Sequence, residues 1–202
     1  MRRMTLGVLL GTLAMFVWGM VYWGANPLPY RTWRVAADEE AAQRALRAQF
    51  PSVGTYVVPS VRADPETLER RYRAGPVAFV HVTSLGRPVH DTAIMVKGLL
   101  LDLLSTLALA GLLRMAAPAL PTYLRRASFA ALAGLGAALL IDGGDVAWWS
   151  IPWPWKLHQG IYDATAWWVT GLVLARFADS QAGSGAGRAV TAAPVLQSTV
   201  GR

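Results

Sequence analysis

The chain contains no cysteine in 202 residues. That excludes disulfides, thiolate-bound metals, cysteine-ligated clusters and covalently attached haem. It is neutral about redox compartment, because a chain without thiols suits either environment. Charge is also scarce: 15% of residues are Asp, Glu, Lys or Arg, against 54% hydrophobic, where soluble domains carry about 25% charged residues. Missing too are a Gly-Lys-Ser/Thr phosphate loop, a nucleophile elbow and an HExxH zinc motif, and with them the commonest catalytic signatures. The net charge of +7 comes from arginines scattered through tails, loops and one polar block. No compact basic face with interleaved aromatics is formed, which argues against a nucleic-acid partner.

What is present is a set of long apolar stretches around a polar block, the pattern of membrane spans flanking an extramembrane segment. Residues 5–25 carry no charge and reach the length of about 20 needed to cross a bilayer. Arg2 and Arg3 precede this stretch, as in a signal peptide. Small residues at a cleavage spacing are missing, however, and Trp18, Tyr22 and Trp23 occupy that region. The stretch therefore reads as a retained anchor, residues 1–25, ending in an interfacial aromatic belt. Further spans are expected at 92–117, 126–141 and 160–178. The third is rich in alanine and glycine, including Ala130, Ala133, Gly134, Gly136 and Ala137, which permits close helix approach.

Arg2, Arg3, Arg114, Arg125, Arg126, Arg176 and Arg188 fall on one side of a four-span arrangement, and the positive-inside rule makes that side cytoplasmic. Both termini then face the cytoplasm, and the loop 142–157 and residues 26–91 face outward. The nine arginines of 26–91 do not oppose this, since segments of that length translocate largely regardless of charge. Residues 37–50 predict an amphipathic helix, with Asp38, Glu39 and Glu40 at its N-terminal end. Residues 54–58 and 77–83 predict strands. Asp64 and Pro65 open a second helix as N-cap and first helical residue. The α-β-α-β order predicts two strands joined by a right-handed crossover, in a unit small enough to need packing against the membrane or a partner. The fold class expected is thus mostly α: four transmembrane helices with a small α/β periplasmic domain. Residues 179–202, rich in Ala, Gly, Ser and Thr, read as a flexible cytoplasmic tail.

Four groups of side chains invite chemistry. Asp142, Asp145, His158 and Asp163 lie near the outer ends of the last two spans and form a weak metal or proton site, although no spacing is diagnostic; a polar turn around Gly143 and Gly144 is the plainer expectation. Asp102 sits inside a span, where an ionisable group is either functional or a packing hydrogen bonder; Lys97 and Arg114 are poorly spaced to pair with it. Trp148, Trp149, Trp153 and Trp155 form a proline-broken run. With Trp18 and Trp23 they suit an interfacial anchor, or contact with a partner span, a lipid or a flat pigment or quinone. His81 and His90 flank the outer segment and belong to no motif.

The segments Phe16-Val17-Trp18-Gly19, Pro27-Leu28-Pro29, Gly54-Thr55-Tyr56-Val57-Val58-Pro59 and Gly75-Pro76-Val77 resemble a group of small, uncharacterised bacterial multi-pass inner-membrane proteins. The resemblance covers about residues 1–178. It implies architecture and location in the bacterial inner membrane, and it implies no catalytic residue. With no catalytic constellation and many contact features, the leading expectation is an accessory or structural subunit of a larger inner-membrane complex, respiratory or photosynthetic, and not an enzyme. A small enzyme or ion-handling protein using Asp102, Asp142, Asp145 and His158 is the second expectation, and a ligand sensor the third.

Overall fold

The computed structural model describes residues 2–178; the tail expected at 179–202 lies outside the described residues. The chain is mostly helical and divides into two units, one built from residues up to Trp33 and from Met95 onward, the other from Arg34–Ile94.

The first unit contains four long helices. Helix α1 (Arg2–Gly19) runs on through a π-helical turn, Met20–Ala25. Helices α4 (Thr92–Ala116), α5 (Tyr123–Trp149) and α6 (Trp153–Leu174) follow the second unit. Three segments, Arg2–Ala25, Thr92–Ala119 and Tyr123–Trp149, are long and apolar enough to cross a membrane. Helix α6 has 22 residues but gathers Lys156, His158, Gln159 and Asp163 in its first half, which lowers its hydropathy.

Glycine and alanine set the packing, as the composition predicts. A Cβ at Gly171 would collide with Ala130, and one at Gly134 with Trp167, so α5 and α6 touch almost backbone to backbone. Gly7 lies against Phe177, Gly11 against Thr106 and Leu174, and Gly19 against Tyr162. Rising positions on α1, and on α5, therefore meet falling positions on α6 and its end, so both helices run antiparallel to α6. Leu109, Leu113 and Leu174 are fully enclosed, with Val8, Ala110 and Ala130 around them. At one end the buried Arg126 donates to the carbonyls of Leu120 (2.9 Å), Ala175 (3.4 Å) and Ala178. Its charge thus sits on the carbonyls that end α6, where the helix dipole favours a cation.

The sequence places a polar loop at 142–157. The structure instead continues α5 through Asp142, Gly143, Gly144 and Asp145 to Trp149. Reversal is confined to three residues. Ser150 adopts φ 53°, and the Ile151 amide returns to the Asp145 carbonyl at 3.1 Å. Pro152 then precedes α6, and Pro154 sits in its first turn, where a missing N–H costs nothing. The prolines break the tryptophan run only at this turn.

The second unit holds α2 (Glu39–Gln49), β1 (Gly54–Val58), α3 (Pro65–Ala74) and β2 (Ala78–Val82). Asp38 caps α2 by accepting from the Ala41 amide at 2.9 Å, and Asp64 caps α3 from the Thr67 amide at 2.9 Å. Gly75, at φ 60°, closes α3 with a conformation that side chains resist. The strands pair antiparallel, with Tyr56 opposite Val80 and Val58 opposite Ala78. This corrects the crossover expectation. Residues 59–64 can carry the chain away by up to ~20 Å, and α3 can bring back about 15 Å. The chain thus re-enters beside the end of β1 that it left. Residues 26–33, placed by the sequence with the outer domain at 26–91, cluster with the helical unit.

Candidate functional site

The polar residues of α5 and α6 converge where the two helices join. Asp142 and Asp145 stand three residues apart, on one face of α5. Lys156, in the first turn of α6, reaches both: Nζ lies 2.8 Å from Asp142 Oδ1 and 2.7 Å from Asp145 Oδ2. It also donates to Gln159 Oε1 at 2.8 Å. Three acceptors match the three protons of an ammonium group. The Lys156 side chain is 8% exposed and that of Asp142 7%, whereas Asp145 retains 30%. Asp163 lies nearly three turns into α6 and is half-buried. Gly160 lies directly against Asp142, since a Cβ there would stand 3.5 Å from Asp142 Oδ2.

A second layer comes from α1. The buried Tyr22 hydroxyl donates to the His158 carbonyl at 2.9 Å and lies 3.4 Å from its Nδ1. Trp18 Nε1 donates to Thr165 Oγ1 at 3.0 Å. Around these bonds the rings of Trp23, Trp33, Trp155 and Tyr162 pack with centroids 5.1–5.5 Å apart. The π-helical turn at Met20–Ala25 carries Tyr22 and Trp23 into this cluster.

The candidates read from the sequence therefore separate. Asp142 and Asp145 come together, but around an ammonium group rather than a metal, and His158 turns to Tyr22 instead. Among the described residues no three His, Asp or Glu side chains form a metal-holding group. Asp102 is half-buried on α4; neither Lys97 nor Arg114 forms an ion pair with it. Trp18, Trp23 and Trp155 pack inward, while Trp148 and Trp153 are 82% and 64% exposed, as interfacial anchors would be. Trp149 is also largely exposed. Lys156 was legible only as one positive charge in a loop. Its proximity to a pair of carboxylates three apart, across a short proline turn, was the available signal.

Beside the ion pair, α5 and α6 leave an open groove of about 460 Å³, walled by Leu135, Leu139, Val146, Leu157 and Ile161. In the other unit, a groove of about 370 Å³ lies between α2 and β2, walled by Leu46, Arg47, Phe50 and residues from Val80 to Gly86. Comparison with protein-family models, with curated proteins and with solved structures finds no match to the chain.

Proposed function

We propose that the chain is an accessory subunit of a larger bacterial inner-membrane assembly, respiratory or photosynthetic. In this reading four helices anchor it, both termini face the cytoplasm, and residues 34–94 contact a partner on the outer face. One observation carries the proposal: none of the residues 34–94 is buried. Val35, Val61, Leu85 and Val89 are 78%, 63%, 55% and 94% exposed. A unit of this size is marginal even when well packed, and apolar surface left open in it is suited to a protein contact.

Helix α6 supports the fourth span. Its length is about 33 Å, close to the ~30 Å hydrocarbon core, and its Lys156 is paired inside the helical unit instead of facing lipid. The absence of cysteine makes labelling decisive. A maleimide added from outside should modify Ser150→Cys and spare Arg176→Cys until the membrane is permeabilised. Labelling of both would show that α6 does not cross.

The subunit reading is tested by gentle extraction from the native membrane, sizing and identification of what co-purifies. A stoichiometric membrane partner is expected, and it should be lost in a Leu85→Asp, Val89→Asp double variant that still inserts. A lone monomer or homo-oligomer would overturn the proposal.

A further inference from the structure

Asp102 is a carboxylate inside a membrane-length helix. It lies ten residues from the start of α4, about 15 Å along the axis, which is close to the middle of a ~30 Å hydrocarbon core. The buried charges of Arg126 and Lys156 are satisfied within the chain. Among the described residues, none donates a hydrogen bond to the Asp102 carboxyl or forms an ion pair with it. Lys97, five residues earlier, projects from another side of the helix. An ionised group at this depth is costly without a counter-charge, and such groups pair inside an assembly or line a polar path.

The helix that carries it is also the least enclosed of the three most apolar ones. In its most apolar stretch 17% is buried, against 28% in α1 and in α5. The buried residues of α4, Thr106, Leu109, Ala110 and Leu113, all belong to its second half. Met95, Gly98, Asp102 and Ser105 recur at steps of three and four, so they share one face. The next step on that face is Leu109, which the bundle encloses fully. From Met95 to Ser105 no residue of that face is fully buried. A Cβ at Gly98 would meet nothing within 4 Å, so a second backbone can come close there. Side chains lean toward the N-terminal end of their helix, which carries the Asp102 carboxyl over the turn that Gly98 opens.

We propose that this face of α4 docks a membrane helix of another subunit, and that a lysine or arginine midway along that helix pairs with Asp102. Charge complementarity selects the occupant. A lipid chain would cover the apolar residues but bring no cation to this depth. A second copy of α4, related by a two-fold axis through the same face, would bring another aspartate to the level of the first. Leu101 and Leu104, 63% and 64% exposed, flank the carboxyl and would shield the pair from lipid. The inference rests on the accessory-subunit reading and adds a contact within the membrane to the one assigned to residues 34–94.

Two readouts in the native membrane test it. A benzophenone maleimide attached at Leu101→Cys, the only thiol in the chain, should crosslink to an apolar segment that carries a lysine or arginine. Asp102→Asn should lower recovery of that subunit on gentle extraction by roughly tenfold or more. The variant should still insert and melt as the native chain does, because no group of this chain pairs with Asp102. Asp102→Glu keeps the charge and should retain the subunit, and replacing the crosslinked basic residue by glutamine should reproduce the loss. If the native chain recovers no other subunit, the accessory-subunit reading fails and this inference with it. If a recovered subunit survives Asp102→Asn, or the crosslink reaches a segment without a basic residue or a second copy of this chain, only the inference is overturned. Loss of insertion or of native melting in Asp102→Asn would also overturn it, by assigning the carboxyl to the packing of the chain itself.

Discussion

Lys156 Nζ lies 2.8 Å from Asp142 Oδ1, with less than a tenth of either side chain exposed. Neither charge would be stable alone at this depth, because removing an ion from water costs several kcal/mol unless a partner and further hydrogen bonds replace the lost solvent. The contact ties the last turns of α5 to the first turn of α6, at the point where Ser150 and Pro152 reverse the chain. It fixes the register of the hairpin and keeps two charges away from lipid. The open edge of the same arrangement is Asp142 Oδ2, which is buried and accepts no hydrogen bond.

Lys156→Met should lower stability by ~3–5 kcal/mol, the range for removing one partner of a buried ion pair. Asp145→Asn should cost less, about 1 kcal/mol, since Asp145 is partly solvated and Asp142 still holds the ammonium. Thermal unfolding of the purified variants in one detergent gives the comparison. Equal losses in the two would show that the pair is not shielded as described.

Gly171→Val should loosen the α5–α6 contact, because even the first carbon of the side chain collides with Ala130. Overpacking of this kind costs ~1–3 kcal/mol or more. Gly111→Ala is the matched control: nothing lies within 4 Å of the added carbon, and replacing a helical glycine gains ~0.5–1 kcal/mol. A Gly171→Val protein with native melting behaviour would refute the close approach of the two helices.

The Thr67 N–H and hydroxyl hold the Asp64 carboxyl below its ordinary pKa. A depressed folded value means that the ionised cap stabilises α3 fully above the unfolded pKa of ~3.9. That contribution is lost as pH falls through the lower, folded value. Hydrogen exchange at the Thr67 and Leu68 amides should therefore be faster in Asp64→Ala at neutral pH, with the difference shrinking in acid. Asp64→Asn keeps the cap and should remove the pH dependence. A difference that stays constant with pH would assign the cap to hydrogen bonding alone.

Composition and local pattern by themselves determined much of this protein. The uncharged run 5–25, the apolar stretches of α4 and α5, and the caps at Asp38 and Asp64 follow from hydropathy and from backbone groups that must be satisfied within a few residues. The glycines and alanines of α5 likewise announced close packing. Tertiary structure decided what those signals leave open. Strand direction was not legible, because alternation along Ala78, Val80 and Val82 is the same for parallel and antiparallel pairing. Gly143 and Gly144 read as a turn, since their local helix propensity is poor; the contacts α5 makes with α6 override it. Lys156 looked like an exposed loop charge, and only the hairpin places it against Asp142 and Asp145. A charge's depth depends on what lies across from it in space, and that is set by helices meeting, not by neighbours along the chain.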